Sequence, residues 1–223
     1  MAGTIREILS SEDGQDIAEY AVLLALILVL IFGALGVMGE KVNGIYFIYS
    51  GAVKVHKKWV DKKQLIIRFA KGGAVIGLRG LGTTKLYPVS ATALEDSLVC
   101  YIGNDFFETT LNNNPSLTYQ FMQLYADELQ KAELRMRNLA LMDVKGRIAE
   151  TLLELNVVFG NDKNKYIAVP VSRQDIAAYA GTTYETVFKL LRMMAKEKII
   201  STSGKKMRIN NSNKLSGFIK SVK

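Results

Sequence analysis

The spacing of apolar positions changes three times along this chain, and each change marks an element. From Tyr20 to Met38 there is no alternation at all, because 19 consecutive residues carry no formal charge. At about 1.5 Å per residue, a helix of that length spans roughly one hydrocarbon core. Residues 42–102 switch to short β-branched and aromatic runs broken by glycines. Residues 44–51 read as a strand, and 52–56 alternate with Val53 and Val55 on one face. Residues 59–63 supply a turn before a strand over 64–69, and Gly72, Gly73, Gly77, Gly80 and Gly82 break the chain again. Two further strands are predicted over 89–94 and 97–102, around Glu95 and Asp96. Short strands at this spacing suggest a barrel or roll.

From Pro115 to about Leu141 the period becomes helical. Met122, Tyr125, Leu129, Ala132, Met136 and Leu139 are separated by steps of 3, 4, 3, 4 and 3, a heptad seam. Asp127, Glu128, Lys131, Glu133, Arg135 and Arg137 flank it, while Phe121 and Leu124 form a second flank suited to the roll. An intramolecular packing face is the alternative, but the strict spacing and charged flanks favour a dimer seam.

The last third is helical and then hairpin-like. Asp143 is a good N-cap for a helix over 144–156, whose apolar face is Ile148, Leu152, Leu153 and Leu155. Residues 172–192 read as a helix-turn-helix. Ala177 is small where two helices cross, Gly181 suits a turn needing positive φ, and Val187 and Leu190 return to the core. Ile176 and Ala180 complete the first helix's buried face, and Thr182 with Glu185 reads as a capping box for the second. That second helix is expected to expose Thr183, Tyr184, Glu185, Phe188, Lys189 and Arg192. In residues 199–210 two short strands flank Ser203 and Gly204, a wing with Lys205 and Lys206 at its tip. An ordinary helical hairpin is the competing reading.

Charge sharpens the picture. The 223 residues carry a net +8, and all of the excess lies in residues 143–223, where 15 Lys and Arg face 7 Asp and Glu. Such a segment suits a polyanion, since neutralising phosphates releases condensed counterions; a solvated basic surface is the alternative. Glu185 can accept from a cytosine amino group and Lys189 can donate to guanine. Arg173, Thr183 and Arg192 are better placed for phosphates. One cysteine, Cys100, and one histidine, His56, exclude an intrachain disulfide, a thiolate cluster and a multi-histidine metal site. His56, beside Lys57 and Lys58, reads as a surface residue, and Cys100 reads as a core thiol. No nucleophile–base pair or paired carboxylates point to an enzyme, and no cofactor is implied.

Residues 42–212 resemble the Crp/Fnr regulators, first in the phrase Asn43-Gly-Ile-Tyr-Phe-Ile-Tyr-Ser-Gly51 and most specifically from Asp143 onward. The resemblance implies an α+β chain: an incomplete cyclic-nucleotide-binding-type β-roll, a long dimerisation helix and a C-terminal winged helix-turn-helix, here preceded by an apolar N-terminal helix. The corresponding spans are 1–39 for the apolar segment, 40–114 for the roll, 115–142 for the helix and 143–223 for the DNA-binding part. It further implies a homodimer on double-stranded DNA, with RNA polymerase as a partner. An effector pocket would involve Gly77, Leu78, Arg79, Val89 and Ser90, with Lys85 nearby. In cyclic-nucleotide members a Gly-Glu pair holds the ribose and an Arg-Ser or Arg-Thr pair holds the phosphate. Here Leu78 and Val89 stand in place of the carboxylate and the guanidinium, so cyclic AMP is not expected to bind in the usual way. Cyclic-AMP-type members begin the recognition helix with Arg-Glu and carry an arginine four residues after that glutamate. Tyr184, Glu185 and Lys189 keep only the glutamate, so another DNA sequence is expected.

Residues 5–38 resemble Flp-type small pilins: Gly14, four residues, Glu19-Tyr20, then the apolar run. That resemblance implies prepilin-type cleavage between Gly14 and Gln15, with Glu19 as the fifth mature residue. A buried soluble helix is the alternative to membrane insertion over 20–38. Lys41, Lys54, Lys57 and Lys58 follow the run, so the positive-inside rule places the DNA-binding portion in the cytoplasm, anchored in the inner membrane. The pilin-like segment stands where the family's first helix and strands belong, which predicts bare sheet edges and an uncovered roll core. The apolar helix, another chain or a poorly formed roll answers that problem. A pilin-like filament subunit, or a chain joining two unrelated pieces, is the competing reading of the whole.

Overall fold

The computed structural model describes residues 44–58, 64–82 and 89–219. The apolar run 20–38, the proposed cleavage residues Gly14, Gln15 and Glu19, the turn at 59–63 and Lys85 lie outside the described residues. Among the described residues no helix is long and apolar enough to cross a membrane.

Two three-stranded antiparallel sheets form the first part. β1 (Gly44–Ser50) lies between β4 (Val75–Ile76) and β6 (Leu98–Gly103), and β2 (Ala52–Lys58) lies between β3 (Gln64–Lys71) and β5 (Ser90–Ala93). Ile48, Val53, Val55, Ala70, Ile76, Val89, Ala91 and Val99 fill the space between the sheets. Gly77 enters a left-handed turn at φ 98°, where a Cβ would lie 2.5 Å from the Gly44 carbonyl oxygen, so only glycine fits. The chain then turns through Leu78–Leu81 in a 3-10 helix.

A short helix, α1 (Asn104–Asn113), was not expected from the sequence; it buries Phe107 and carries mostly polar residues elsewhere. α2 (Pro115–Leu141) follows, with Asn114 accepting from the Leu117 N–H as its N-cap. Its flank of Phe121 and Leu124 packs on Ile45, Leu78 and Phe107, as predicted. α3 (Val144–Phe159) starts where Asp143 accepts from the Gly146 N–H at 2.6 Å. α4 (Arg173–Ala180), α5 (Tyr184–Lys196), the hairpin β7 (Ile200–Ser203) and β8 (Lys206–Ile209), and α6 (Ser212–Ser216) complete the chain.

The face of β2 and β3 turned away from the roll's interior is covered by the chain's own C-terminal part. β2 and β3 expose their second face to α3 and α4. Ala52, Ile66 and Phe69 share one buried cluster with Ile148, Leu152, Phe159, Ile176 and Tyr179. Phe69 sits between two rings, 5.9 Å from Phe159 and 5.0 Å from Tyr179. Beside it the Lys54 ammonium donates to the Asp175 carboxylate at 2.5 Å. Arg135 of α2 ties three elements together. Its guanidinium donates to the carbonyls of Ile66 (2.6 Å) and Tyr179 (2.8 Å) and lies 3.5 Å from the Tyr179 ring centre.

Two expectations are corrected by this packing. His56 is not a surface residue: it is 2% exposed, because β2 is covered by sheet on one face and helices on the other. Its Nε2 meets the Thr92 hydroxyl at 2.8 Å. Burial, then the charges of Lys54 and Lys58, push its pKa below the ordinary value, with Asp175 acting the other way. Cys100 is half-buried rather than a core thiol, since Val99 is the buried residue of β6.

Candidate nucleic-acid interface

The helix pair α4–α5 is built by its caps and its turn. Ser172 accepts from the Asp175 N–H at 3.0 Å and opens α4. Gly181 closes α4 in the left-handed region, at φ 61° and ψ 48°. Arg147, reaching up from α3, clasps this turn by donating to the carbonyls of Ala180 (2.8 Å), Met142 (2.7 Å) and Gly181 (3.3 Å). Ile176, Ala177, Ala180 and Val187 are buried, as the spacing predicted, and Leu190 is half-buried. The N-cap of α5 is Thr183 rather than Thr182: its hydroxyl accepts from the Thr186 N–H at 3.3 Å. The predicted Thr182–Glu185 capping box therefore does not form, because Thr182 is still part of the turn, with its N–H on the Ala177 carbonyl.

α5 buries Val187, Leu191 and Met194 and turns the opposite face to solvent. On that face Tyr184, Glu185, Phe188, Lys189 and Arg192 are exposed, and Thr183 is exposed just before it. Tyr184 and Phe188 stack, with ring centres 6.3 Å apart and planes 19° apart. Arg173 is half-buried beside them, its guanidinium 5.7 Å from the Phe188 ring. Phe188, Lys189, Arg192, Met193, Ala195 and Lys196 line an open concavity. Lys196 is a cation on this rim that the sequence reading missed; it sits one turn beyond Arg192, where the helical spacing would have found it.

The hairpin β7–β8 turns through Gly204 at φ 59° and exposes Lys205. Lys206 differs from expectation. It begins β8, and its ammonium lies 3.6 Å from the Asp162 carboxylate, so the pair offsets its charge.

The second candidate region is a cavity of about 250 Å³ between the roll and α2. Gly77, Leu78 and Arg79 border it, together with Arg68, Tyr125 and Glu128. Val89 and Ser90 do not. Val89 is buried among the roll's core residues, and Ser90 is a buried partner of His56 in the β2–β5 register. Arg68 donates to Glu128 at 2.6 Å and also to the Val75 carbonyl. Burial works to raise the Glu128 pKa, but the charge of Arg68 and the hydrogen bond from Lys131 outweigh it and hold it below the ordinary value. The Tyr125 hydroxyl donates to the Leu78 carbonyl at 2.6 Å. Along the seam Met122, Leu129, Ala132 and Met136 are exposed; Tyr125 is partly engaged with the roll, and Leu139 is half-buried against Gly181. Among the described residues no group of His, Cys, Asp or Glu could hold a metal ion.

A sheet roll joined through a long helix to a winged helix-turn-helix defines a class of two-part DNA-binding regulators. The family models agree: a cyclic nucleotide-binding domain matches residues 36–114, and a Crp-like helix-turn-helix domain matches residues 146–218. The chain is 33% identical over 174 residues to the cAMP-activated global transcriptional regulator CRP of Salmonella typhimurium, covering 75% of this chain and 80% of that protein. It is 30% identical over 166 residues to the anaerobic regulatory protein of Bacillus subtilis, covering 73% and 70%. The solved structure of FixK2 from Bradyrhizobium japonicum matches with a TM-score of 0.73 at 25% identity, over 88% of this chain and 95% of that one. The chain belongs to the Crp/Fnr family of transcriptional regulators, which are not enzymes.

Gly181→Ala is expected to destabilise the protein by about 1–2 kcal/mol in urea unfolding, because alanine must take the left-handed conformation there. The added Cβ also falls 2.8 Å from the end of the Leu139 side chain. An unchanged midpoint would contradict the role given to this turn.

Proposed function

We propose that the protein is a dimeric, sequence-specific DNA-binding regulator whose α5 enters the major groove and whose effector is not cyclic AMP. The observation that carries this reading is the outward face of α5, cationic and aromatic, set opposite its buried Val187, Leu191 and Met194. Glu185 and Lys189 are the base-reading pair. Arg173, Thr183 and Arg192 contact phosphates, and Lys205 reaches the backbone from the wing. The full chain is expected to bind duplex DNA with an affinity that falls steeply with salt. In mobility shifts Lys189→Ala should change the preferred sequence, whereas Lys205→Ala should weaken all sequences alike. Salt-independent binding, or identical behaviour of the two variants, would contradict the reading.

Dimerisation through α2 is supported by the exposed seam. Met122, Leu129 and Met136 are 58%, 60% and 67% exposed, a run of large apolar side chains that a second copy would cover. Two recognition helices related by a two-fold axis would then meet successive major grooves of a near-palindromic site. Leu129→Glu is expected to shift the protein to the monomer in sedimentation and to lower affinity for a palindromic duplex at least tenfold. A dimer that survives this change would place the seam elsewhere.

The cavity chemistry supports an effector other than a cyclic nucleotide. Leu78 is buried where a ribose-binding carboxylate would stand, Val89 is buried in the core, and Arg68 is already engaged by Glu128. Calorimetry with cyclic AMP is therefore expected to show no heat of binding, and micromolar affinity would overturn this reading of Leu78 and Val89.

A further inference from the structure

The exposed face of α5 carries two rails. Glu185 and Lys189, one turn apart, form a polar rail. Tyr184 and Phe188, also one turn apart, form an apolar one, displaced by about 100° around the helix axis. The apolar rail is not needed for the core, which is served by Val187, Leu191 and Met194 at 0–2% exposure. Tyr184 and Phe188 are 45% and 44% exposed, and stack on each other. Arg173 of α4 steadies the outer ring from the side. The ledge is surrounded by the cations Arg173, Lys189, Arg192 and Lys196, so a polyanion is the surface that approaches it.

A phenyl ring neither donates nor accepts a hydrogen bond. Among the groups displayed in the major groove, the one it can bury with profit is the C5-methyl group of thymine. We infer that the stacked Tyr184–Phe188 ledge reads thymine methyl groups, with Phe188 setting the preference at that position of each half-site. The inference rests on the DNA-binding reading of α5 and adds a base identity that Glu185 and Lys189 do not supply.

The test uses the full chain and a duplex that it selects from a random-sequence pool. Each thymine of a half-site is replaced singly by deoxyuridine, which removes only the methyl group. For the wild type, at least one replacement is expected to weaken binding roughly fourfold, the loss associated with one buried methyl. Phe188→Ala should bind the thymine and uracil duplexes equally, with its salt dependence unchanged because the phosphate contacts remain. Phe188→Leu, still apolar, should keep part of the discrimination. Wild-type indifference at every thymine, or a selected site with no thymine in its half-sites, would overturn the ledge while leaving the DNA-binding reading intact. Failure to enrich any duplex would instead remove that reading, and the inference with it.

Discussion

A two-stranded ribbon buried on both faces is the constraint on which the rest of this structure depends. Through Val53, Val55 and Ala70, β2 and β3 complete the roll's interior. Through Ala52, Ile66 and Phe69 they seat α3 and α4 of the winged helix. Each large side chain buried on the second face contributes about 1.5–3 kcal/mol, so the seat is not an incidental contact. It also determines direction. With α3 and α4 pressed against the ribbon and Arg147 clasping the Gly181 turn, the polar and aromatic face of α5 is left to solvent.

The same ribbon stands between the cavity and the base of the winged helix. Arg68 and Phe69 are neighbours in β3 and point to opposite sides. Arg68 meets Glu128 at the cavity, and Phe69 meets Tyr179 at the DNA-binding part. α2 touches both: Glu128 is on the cavity side, and Arg135, two turns later, holds the carbonyls of Ile66 and Tyr179. Arg68 at the cavity and Phe69 at the seat of α3 and α4 are thus separated by the thickness of one strand.

Much of this was readable in the sequence where one periodicity dominated. The alternation around Val53 and Val55 located β2, and the 3–4 spacing gave α2 the bounds it has, from Pro115 to Leu141. The small residue, glycine and apolar positions at Ala177, Gly181 and Val187 found the helix-turn-helix. The failures share a cause: they depend on contacts between distant residues. His56 looks like a surface residue beside two lysines, until the second face of β2 is covered. Val89 and Ser90 look like pocket residues by position, but Val89, just before β5, is buried in the roll's core and Ser90 pairs with His56. The long-range roles of Arg135 and Arg147 carry no local signal, since they rest on backbone carbonyls 69 and 33 residues away. α1 was missed because only one apolar side chain, Phe107, is buried along it.

The seat itself is tested most directly by a double-mutant cycle on the ion pair at its edge, where Lys54 of β2 meets Asp175 of α4 at 2.5 Å with side chains only 15% and 10% exposed. Urea unfolding of the full chain with Lys54→Ala, Asp175→Ala and both is expected to give a coupling energy of about 1 kcal/mol or more, as for residues in contact. Effects that add to within about 0.3 kcal/mol would mean that the winged helix does not rest on this ribbon, and the account of how α5 is aimed would fail.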